Sequence, residues 1–396
     1  MAEEVWMLQT KKADFKQIGA RFRIDPVTAR IIRNRGIEGE AAIDRYLNGT
    51  LDDLYDPMLL KDMERAVSIL CEAVDTGKKI RIVGDYDIDG VCSTYILLQA
   101  FERLGSDVDF EIPDRIKDGY GINESIIEQA HADGVEVILT CDNGISAFHQ
   151  VELAKKYGMT VVITDHHEVP LDGEKEKIPP ADAVIDPKQA DCPYPFPEIC
   201  GAVVAYKLVQ VLYARRGVPQ MEWLDLLEFA AIATVGDVMK LQDENRILVK
   251  YGLKKMAQTK NLGLRRLAEK NNLDLGAITA YHIGFVIGPC LNAGGRLKTA
   301  KEALALLRAQ SEEEAERLAE ELKELNDTRK DMTEQGTEAA KLQVESWYQK
   351  DKVLVVFLPE CHESLAGIIA GRLREYYQKP AIVLTRGEEA VKGSGR

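Results

Sequence analysis

Arg81-Ile82-Val83-Gly84-Asp85-Tyr86-Asp87-Ile88-Asp89-Gly90-Val91 is the stretch on which the reading of the chain turns. The β-branched apolar run of Ile80, Ile82 and Val83 predicts a buried strand, and Gly84 and Gly90 punctuate its end. Three carboxylates then follow at alternate positions: Asp85, Asp87 and Asp89. Packed that closely on a strand-end loop they repel one another. A divalent cation with oxygen ligands is the natural way to neutralise them.

Three other readings compete. An EF-hand loop also opens D-x-D-x-D-G, but its twelfth position needs a bidentate Glu and here holds Ile96. It is also flanked by helices, not preceded by a strand. A haloacid-dehalogenase-like phosphatase places Asp-x-Asp after a strand, which Asp87-Ile88-Asp89 imitates. An acidic solvated turn is the plainest alternative. The rest of the chain separates them. Asp142 follows the apolar run Val135, Val137, Ile138, Leu139; residues 160–164 run straight into Asp165-His166-His167; Asp237 lies in Val235-Gly236-Asp237-Val238. Each lies just past an apolar run, where the carboxyl edge of a parallel sheet gathers its loops into one crevice. Acids with imidazoles, and no thiolate at ligand spacing, suit Mn²⁺ or Mg²⁺ better than structural zinc. Two such ions about 4 Å apart would clamp a phosphoryl group for hydrolysis.

In this order, Asp85-Tyr86-Asp87-Ile88-Asp89-Gly90, Asp142, Asp165-His166-His167 and Asp237 resemble the four motifs of the DHH phosphoesterase superfamily. Within it the chain most resembles the RecJ family of single-strand-specific 5′→3′ DNA exonucleases, from about residue 50 onward. The resemblance implies a first ion on Asp85 or Asp87, a second on Asp89, His166 and Asp237, and Asp142 bridging both. It makes Asp142, His166 and His167 catalytic, with His167 facing the substrate. It implies that Arg115, in the loop after the second strand, faces a substrate phosphate; a plain surface role is the alternative. Residues 281–297 resemble a family stretch G-P-x-x-N-A-x-G-R, which makes Asn292 and Arg296 substrate contacts. Cys290 and Gly294 depart from that pattern, where a basic residue and Ala are usual. The glycines there are expected to let backbone approach a ligand closely. Residues 363–373 and terminal Gly393-Ser394-Gly395-Arg396 resemble the DHH-associated domain, whose Ser394 and Arg396 would hold the 5′ end or phosphates. Relatives continue through more of that domain and an OB-fold, so the sequence is expected to be a piece of a longer protein.

The implied activity is metal-dependent release of mononucleotides from single-stranded DNA, in repair and recombination. A single-strand-binding protein and a helicase are the implied partners. One alternative is a DHH-type phosphodiesterase acting on short oligonucleotides or cyclic dinucleotides. Another is a non-catalytic DHH-fold scaffold, although such relatives lose ligands and every ligand position is filled here.

The expected fold is α/β, a parallel-sheet DHH domain joined by a long helix to a smaller α/β DHH-associated domain. Residues 1–75 read as mostly helical, with Asp25-Pro26 as a helix start. Strands and helices alternate over 76–309, the signature of βαβ units. Helices are expected at 93–104, 124–132, 201–213 and 223–234. The segment 179–197 is long for a mere connection and invites a lid-like reading. Residues 310–346 predict the connecting helix, with Gly336 its weak point, and 347–396 the second domain.

Composition bounds the rest. With 45% hydrophobic and 29% charged residues the chain is ordinary for a globular protein. Its net charge of −14 argues against coating nucleic acid by bulk attraction, though not against a local basic groove. The arginines at 21, 23, 30, 33 and 35 are better explained as a solvated helix face. Seven cysteines without a C-x-x-C pair predict reduced thiols. No apolar run is long enough to span a membrane, and a cytoplasmic location is expected.

Overall fold

The structure is a computed structural model that describes residues 5–9, 11–115, 118–387 and 390–396. Four helices lead in: α1 (Phe15–Phe22), α2 (Pro26–Asn34), α3 (Glu40–Asn48) and α4 (Met63–Asp75). Asp25 caps α2 by accepting the N–H groups of Val27 and Thr28, with Pro26 in the first turn where its missing N–H costs nothing. Arg21 and Arg33 pair with Glu40 and Glu38 on the outside of this lobe.

The central sheet has the order β2-β1-β3-β4-β7, every neighbour parallel. Its strands are β1 (Ile80–Val83), β2 (Val108–Glu111), β3 (Val137–Cys141), β4 (Thr160–Thr164) and β7 (Ala183–Ile185), with a small ribbon of β5 (Leu171–Asp172) and β6 (Lys175–Glu176) between the last two. Helices α5 (Ile88–Arg103), α6 (Glu124–Ala132) and α7 (Phe148–Lys156) provide the crossovers. α6 and α7 bury Ile126, Ile127, Val151 and Ala154 on one face of the sheet; α4, α5 and the later helices build the larger core on the other. Arg81, inside β1, is buried but forked onto Asp109 at 2.7 and 2.8 Å and onto Asp133 at 2.8 Å, which makes a charge tolerable there.

α8 (Gly201–Arg215), α9 (Gln220–Leu224), α10 (Leu227–Gly236), α11 (Asp243–Met256) and α12 (Leu262–Lys270) complete this core. The single helix expected at 223–234 is thus two, with Asp225 at the break, tied to Lys255 and Lys260. α5 starts at Ile88, five residues earlier than expected, because Asp87 accepts the N–H groups of Asp89 and Gly90 and so nucleates a helix within the acidic motif. The segment 179–197 is no lid: Ile185, Asp186, Gln189 and Tyr194 are buried, and Gln189 donates to the Val184 carbonyl.

Residues 280–297 form one helical run: α13 (Ala280–His282), a π-helical turn (Ile283–Ile287) and α14 (Gly288–Leu297). Its glycines serve packing, which corrects the expectation of a glycine-lined ligand contact. A Cβ on Gly294 would meet the Thr299 carbonyl, and one on Gly295 the Tyr86 carbonyl. After α15 (Lys301–Arg308), the 32-residue α16 (Glu312–Gln343) leads away from a Ser311 cap. Gly336 is the position where Ile369 seats; a Cβ there would lie 2.6 Å from its Cδ1. The second unit is a three-stranded sheet, β10-β9-β8, of β8 (Leu354–Phe357), β9 (Ala381–Arg386) and β10 (Val391–Gly395), packed on α17 (Ala366–Tyr377). Among the described residues no helix is long and apolar enough to cross a membrane.

Candidate metal centre and the cleft beside it

β1 has β2 on one side and β3 on the other, so the chain reverses its direction of travel across the sheet at this strand. Crevices at such points, beyond the strand ends, are where open α/β sheets bind ligands. Asp85 leaves β1 and Asp87 caps α5, whose first turn carries Asp89. Gly90 is required there, since a Cβ would strike the Asp85 backbone. Asp89 is gripped by the start of α8: the N–H groups of Gly201 and Ala202 donate to its Oδ2 and Oδ1 at 2.7 and 2.8 Å. Asp142 leaves β3 with φ of +61°, a left-handed conformation that Asp tolerates better than most residues. Asp165, His166 and His167 leave β4, and Asp237 closes the end of α10.

These groups converge. His166 Nε2 lies 3.0 Å from Asp142 Oδ1, 3.4 Å from Asp89 Oδ2 and 3.9 Å from Asp237 Oδ2. Three sets each have their ligand atoms within 4.8 Å of one another: Asp85, Asp87 and Asp142; Asp89, His166 and Asp237; and Asp142, His166 and His167. The electrostatics are those of a donor set that needs cations. Burial, then the neighbouring Asp87, pushes Asp85 up to about 7; burial, then Asp89 and Asp87, does the same to Asp237. Asp87 and Asp142 are raised by the same causes, and burial lowers His166. Asp142 Oδ1 and His166 Nδ1 are buried without a hydrogen-bond partner. Oxygen donors with one or two imidazoles fit Mn²⁺ or Mg²⁺. The nearby thiols do not contribute, because burial pushes Cys141 up to about 12 and keeps it neutral.

Tyr120 was not singled out from the sequence, and Asp165, read there as the first residue of its motif, was given no role of its own. Asp165 is fully buried and accepts the N–H groups of Ile145 and His166, at 2.9 and 2.8 Å, while pairing with His167 Nδ1 at 2.8 Å. Burial opposes charge on His167, yet Asp165 holds its pKa up to about 9. Tyr120 places its hydroxyl 2.8 Å from the Asp142 carbonyl oxygen and within 3.2 Å of both His167 ring nitrogens. Its only sequence signal was a tyrosine between two glycines.

A cleft of about 550 Å³ opens between the two sheets' domains, lined by Arg115, Arg296, Ser364, Gly367, Ser394 and Arg396 among others. Arg115 lies over the Tyr86 ring, 4.8 Å from its centroid, and Arg296 donates to the Ser364 carbonyl at 3.2 Å. Arg396 donates to Ser394 Oγ at 3.0 Å, and both lie against Gly367, at the start of α17, where a Cβ would come within 3.0 Å of them. Burial, then Arg115 and Arg329, lowers Arg296 to about 10 against the pull of Asp87. Gathered arginines at a helix start form an anion site. Asn292, one turn before Arg296, does not line this cleft.

A parallel sheet with this acid–imidazole centre defines a DHH-type domain, and residues 79–234 match the model of the DHH family, N-terminal domain. The single-stranded-DNA-specific exonuclease RecJ of Bacillus subtilis is 36% identical over 394 residues, covering 99% of this chain and 49% of that protein. The RecJ of Haemophilus influenzae is 35% identical, over 96% of this chain and 67% of that protein. A crystal structure of exonuclease RecJ bound to manganese superposes with a TM-score of 0.75 at 33% identity, covering 85% of this chain and 82% of that one. The chain belongs to the RecJ family. It spans about half the length of the Bacillus subtilis relative.

Proposed function

We propose that this chain carries the catalytic part of a single-stranded-DNA exonuclease that removes mononucleotides from the 5′ end with two Mn²⁺ or Mg²⁺ ions. The observation that carries the reading is the conjunction of the acid–imidazole centre with an arginine-lined cleft beside Asp87. Residues 76–309 are the catalytic domain, 310–346 the connector and 347–396 the part of the DHH-associated domain present. Repair and recombination, a cytoplasmic location, and a single-strand-binding protein and helicase as partners follow from the family reading.

When bound, the ions neutralise the phosphodiester and activate water for attack on phosphorus. Asp85, Asp87 and Asp142 would hold one ion, and Asp89, His166 and Asp237 the other, with Asp142 placed to serve both. The helix start at Gly201 and Ala202 fixes the Asp89 carboxylate in place. His167, kept protonated at neutral pH by Asp165, faces the substrate and stabilises negative charge developing at phosphorus. Tyr120 fixes the tilt of that ring. Arg115, Arg296, Ser394 and Arg396 hold the terminal phosphate, which sets which end of a strand enters. Asn292 enters this reading through the family stretch alone, since it does not line the cleft.

The test uses purified chain with Mn²⁺ and three substrates: 5′-labelled single-stranded DNA, the matching duplex, and a dinucleotide. Early release of labelled mononucleotide from the single strand, with the duplex spared, is the expected result. Cleavage of the dinucleotide alone would place the protein among small-substrate phosphodiesterases instead.

A further inference from the structure

A second cavity, of about 460 Å³, takes part in none of the chemistry described so far. Its lining includes Tyr95, Arg103, Glu228, Phe229, Lys260 and Asn261. α5 brings Tyr95 and Arg103 to it from its later turns, and α10 brings Glu228 and Phe229 from its first. Asp89 and Asp237 sit at the opposite ends of the same two helices, so Glu228 stands about 13 Å along α10 from Asp237. The volume falls in the range of about 300–1,000 Å³ that small-molecule sites occupy.

Three features of the lining point to a ligand. Glu228 is buried; its Oε1 accepts from the Thr259 hydroxyl at 2.7 Å, but its Oε2 has no hydrogen-bond partner among the described residues. A buried carboxyl oxygen left unpaired costs stability, and an N–H donor entering the cavity would relieve that cost. Beside it the rings of Tyr95 and Phe229 meet with centroids 4.3 Å apart and form an apolar wall. The Tyr95 hydroxyl is held by Asn261 Nδ2 at 3.1 Å, which fixes that wall in place. At the mouth the charges are uneven. Arg103 is matched by Glu222, but Lys255 and Lys260 share the one carboxylate of Asp225, and the Lys260 side chain is 83% exposed. One cationic charge is left over for an anion.

We propose that this cavity binds a nucleoside monophosphate whose base carries an amino group, with the amino N–H on Glu228 Oε2, the base against Tyr95 and Phe229, and the phosphate on Lys260. A simple anion would leave Glu228 unpaired. A simple amine would leave the aromatic wall and the surplus lysine unused. A planar ring system with an amino donor and a phosphate answers all three demands. The site is built from residues outside the metal centre and the arginine cleft, so it does not depend on the exonuclease reading. Under that reading the released mononucleotides belong to the same class, which puts product within reach of a second site.

The test is calorimetric titration of the purified, metal-free chain carrying R396A, which removes a phosphate contact of the arginine cleft, and of the same chain with E228Q or A309W added. The probes are dGMP, dAMP and dTMP, since thymine has no amino group. dGMP and dAMP are expected to bind the R396A chain, and dTMP to bind about tenfold more weakly. E228Q exchanges a charged acceptor for a neutral one and weakens dGMP about tenfold. A309W fills the cavity, whose lining includes Ala309, and abolishes binding. Without R396A, both variants keep the circular dichroism and the Mn²⁺-dependent DNA degradation of wild type. Equal dGMP titrations with and without E228Q and A309W would overturn the site, as would an R396A chain that binds none of the three or binds dTMP as tightly as dGMP. dGMP binding in a chain that degrades no DNA would sink the exonuclease reading and leave the cavity site standing; degradation without dGMP binding would do the reverse.

Discussion

His167 Nδ1 lies 2.8 Å from Asp165 Oδ1, and that same oxygen accepts the backbone N–H of His166 at 2.8 Å. One buried carboxylate thus sets the placement of two adjacent imidazoles without being a ligand itself. In D165N the new amide must turn a donor toward either the Ile145 N–H or the histidines. We expect kcat to fall about 10–100-fold with KM nearly unchanged. Wild-type kcat in D165N would remove Asp165 from the mechanism.

Asp142 belongs to two of the three candidate ligand sets, so its loss disables both ion positions. D142A is expected to abolish Mn²⁺-dependent turnover and the rise in Tm that Mn²⁺ produces. For wild type that rise reflects about 2.7 kcal/mol when the metal stands at a hundred times its Kd. Metal-free D142N, which keeps a residue suited to the left-handed backbone, should melt no lower than metal-free wild type, because one of several repelling carboxylates is gone. Turnover in D142A comparable to wild type would refute the shared role.

Gly201 carries a purely geometric prediction. A Cβ there would lie 2.7 Å from Asp142 Cβ, and the Gly201 N–H also holds Asp89. G201A should therefore weaken Mn²⁺ binding, measured by calorimetry, by about 10–100-fold. Its circular dichroism should remain that of wild type. Unchanged affinity would mean that α8 yields locally without moving either acid.

Glu228 offers a pH test away from the centre. It is 3% exposed, its Oε1 accepts from the Thr259 hydroxyl at 2.7 Å, and burial pushes it up to about 7. An acid whose pKa is higher folded than unfolded costs stability when ionised. The cost is absent below its unfolded value of 4.5, grows between there and about 7, and is full above. E228Q should thus be more stable than wild type at pH 8, by up to about 3 kcal/mol, and lose that advantage by about pH 5. Denaturant melts across this range check it; an advantage independent of pH would point to packing instead.

Much of the sheet could be read locally. β4 and α6 fall where apolar runs and caps predict them, because β-branched residues and Asn123 act over a few neighbours. The start of α5 was hidden for a physical reason: acids and a glycine look like a loop, yet Asp87 uses them as a capped first turn. Residues 280–297 misled in the same way, since glycines chosen for contact with Tyr86 and Thr299 resemble glycines chosen for a ligand. β10, rich in glycine, carries no strand pattern and exists by pairing with β9. The ligand acids were legible because an apolar run ends just before them: β1 before the first three, β3 before Asp142 and the apolar helix α10 before Asp237. The roles of Tyr120 and Asp165 arise from proximity across strands, which no local pattern records.

The left-handed backbone of Asp142 has a consequence for how this position can drift over generations. The residues that share its conformational tolerance, Gly and Asn, carry no negative charge. The only other carboxylate, Glu, is longer and gains no help from a short side chain in that conformation. Shape and charge are thus demanded together at a single codon. Every neighbouring substitution gives up one of them, which makes the site an evolutionary cul-de-sac.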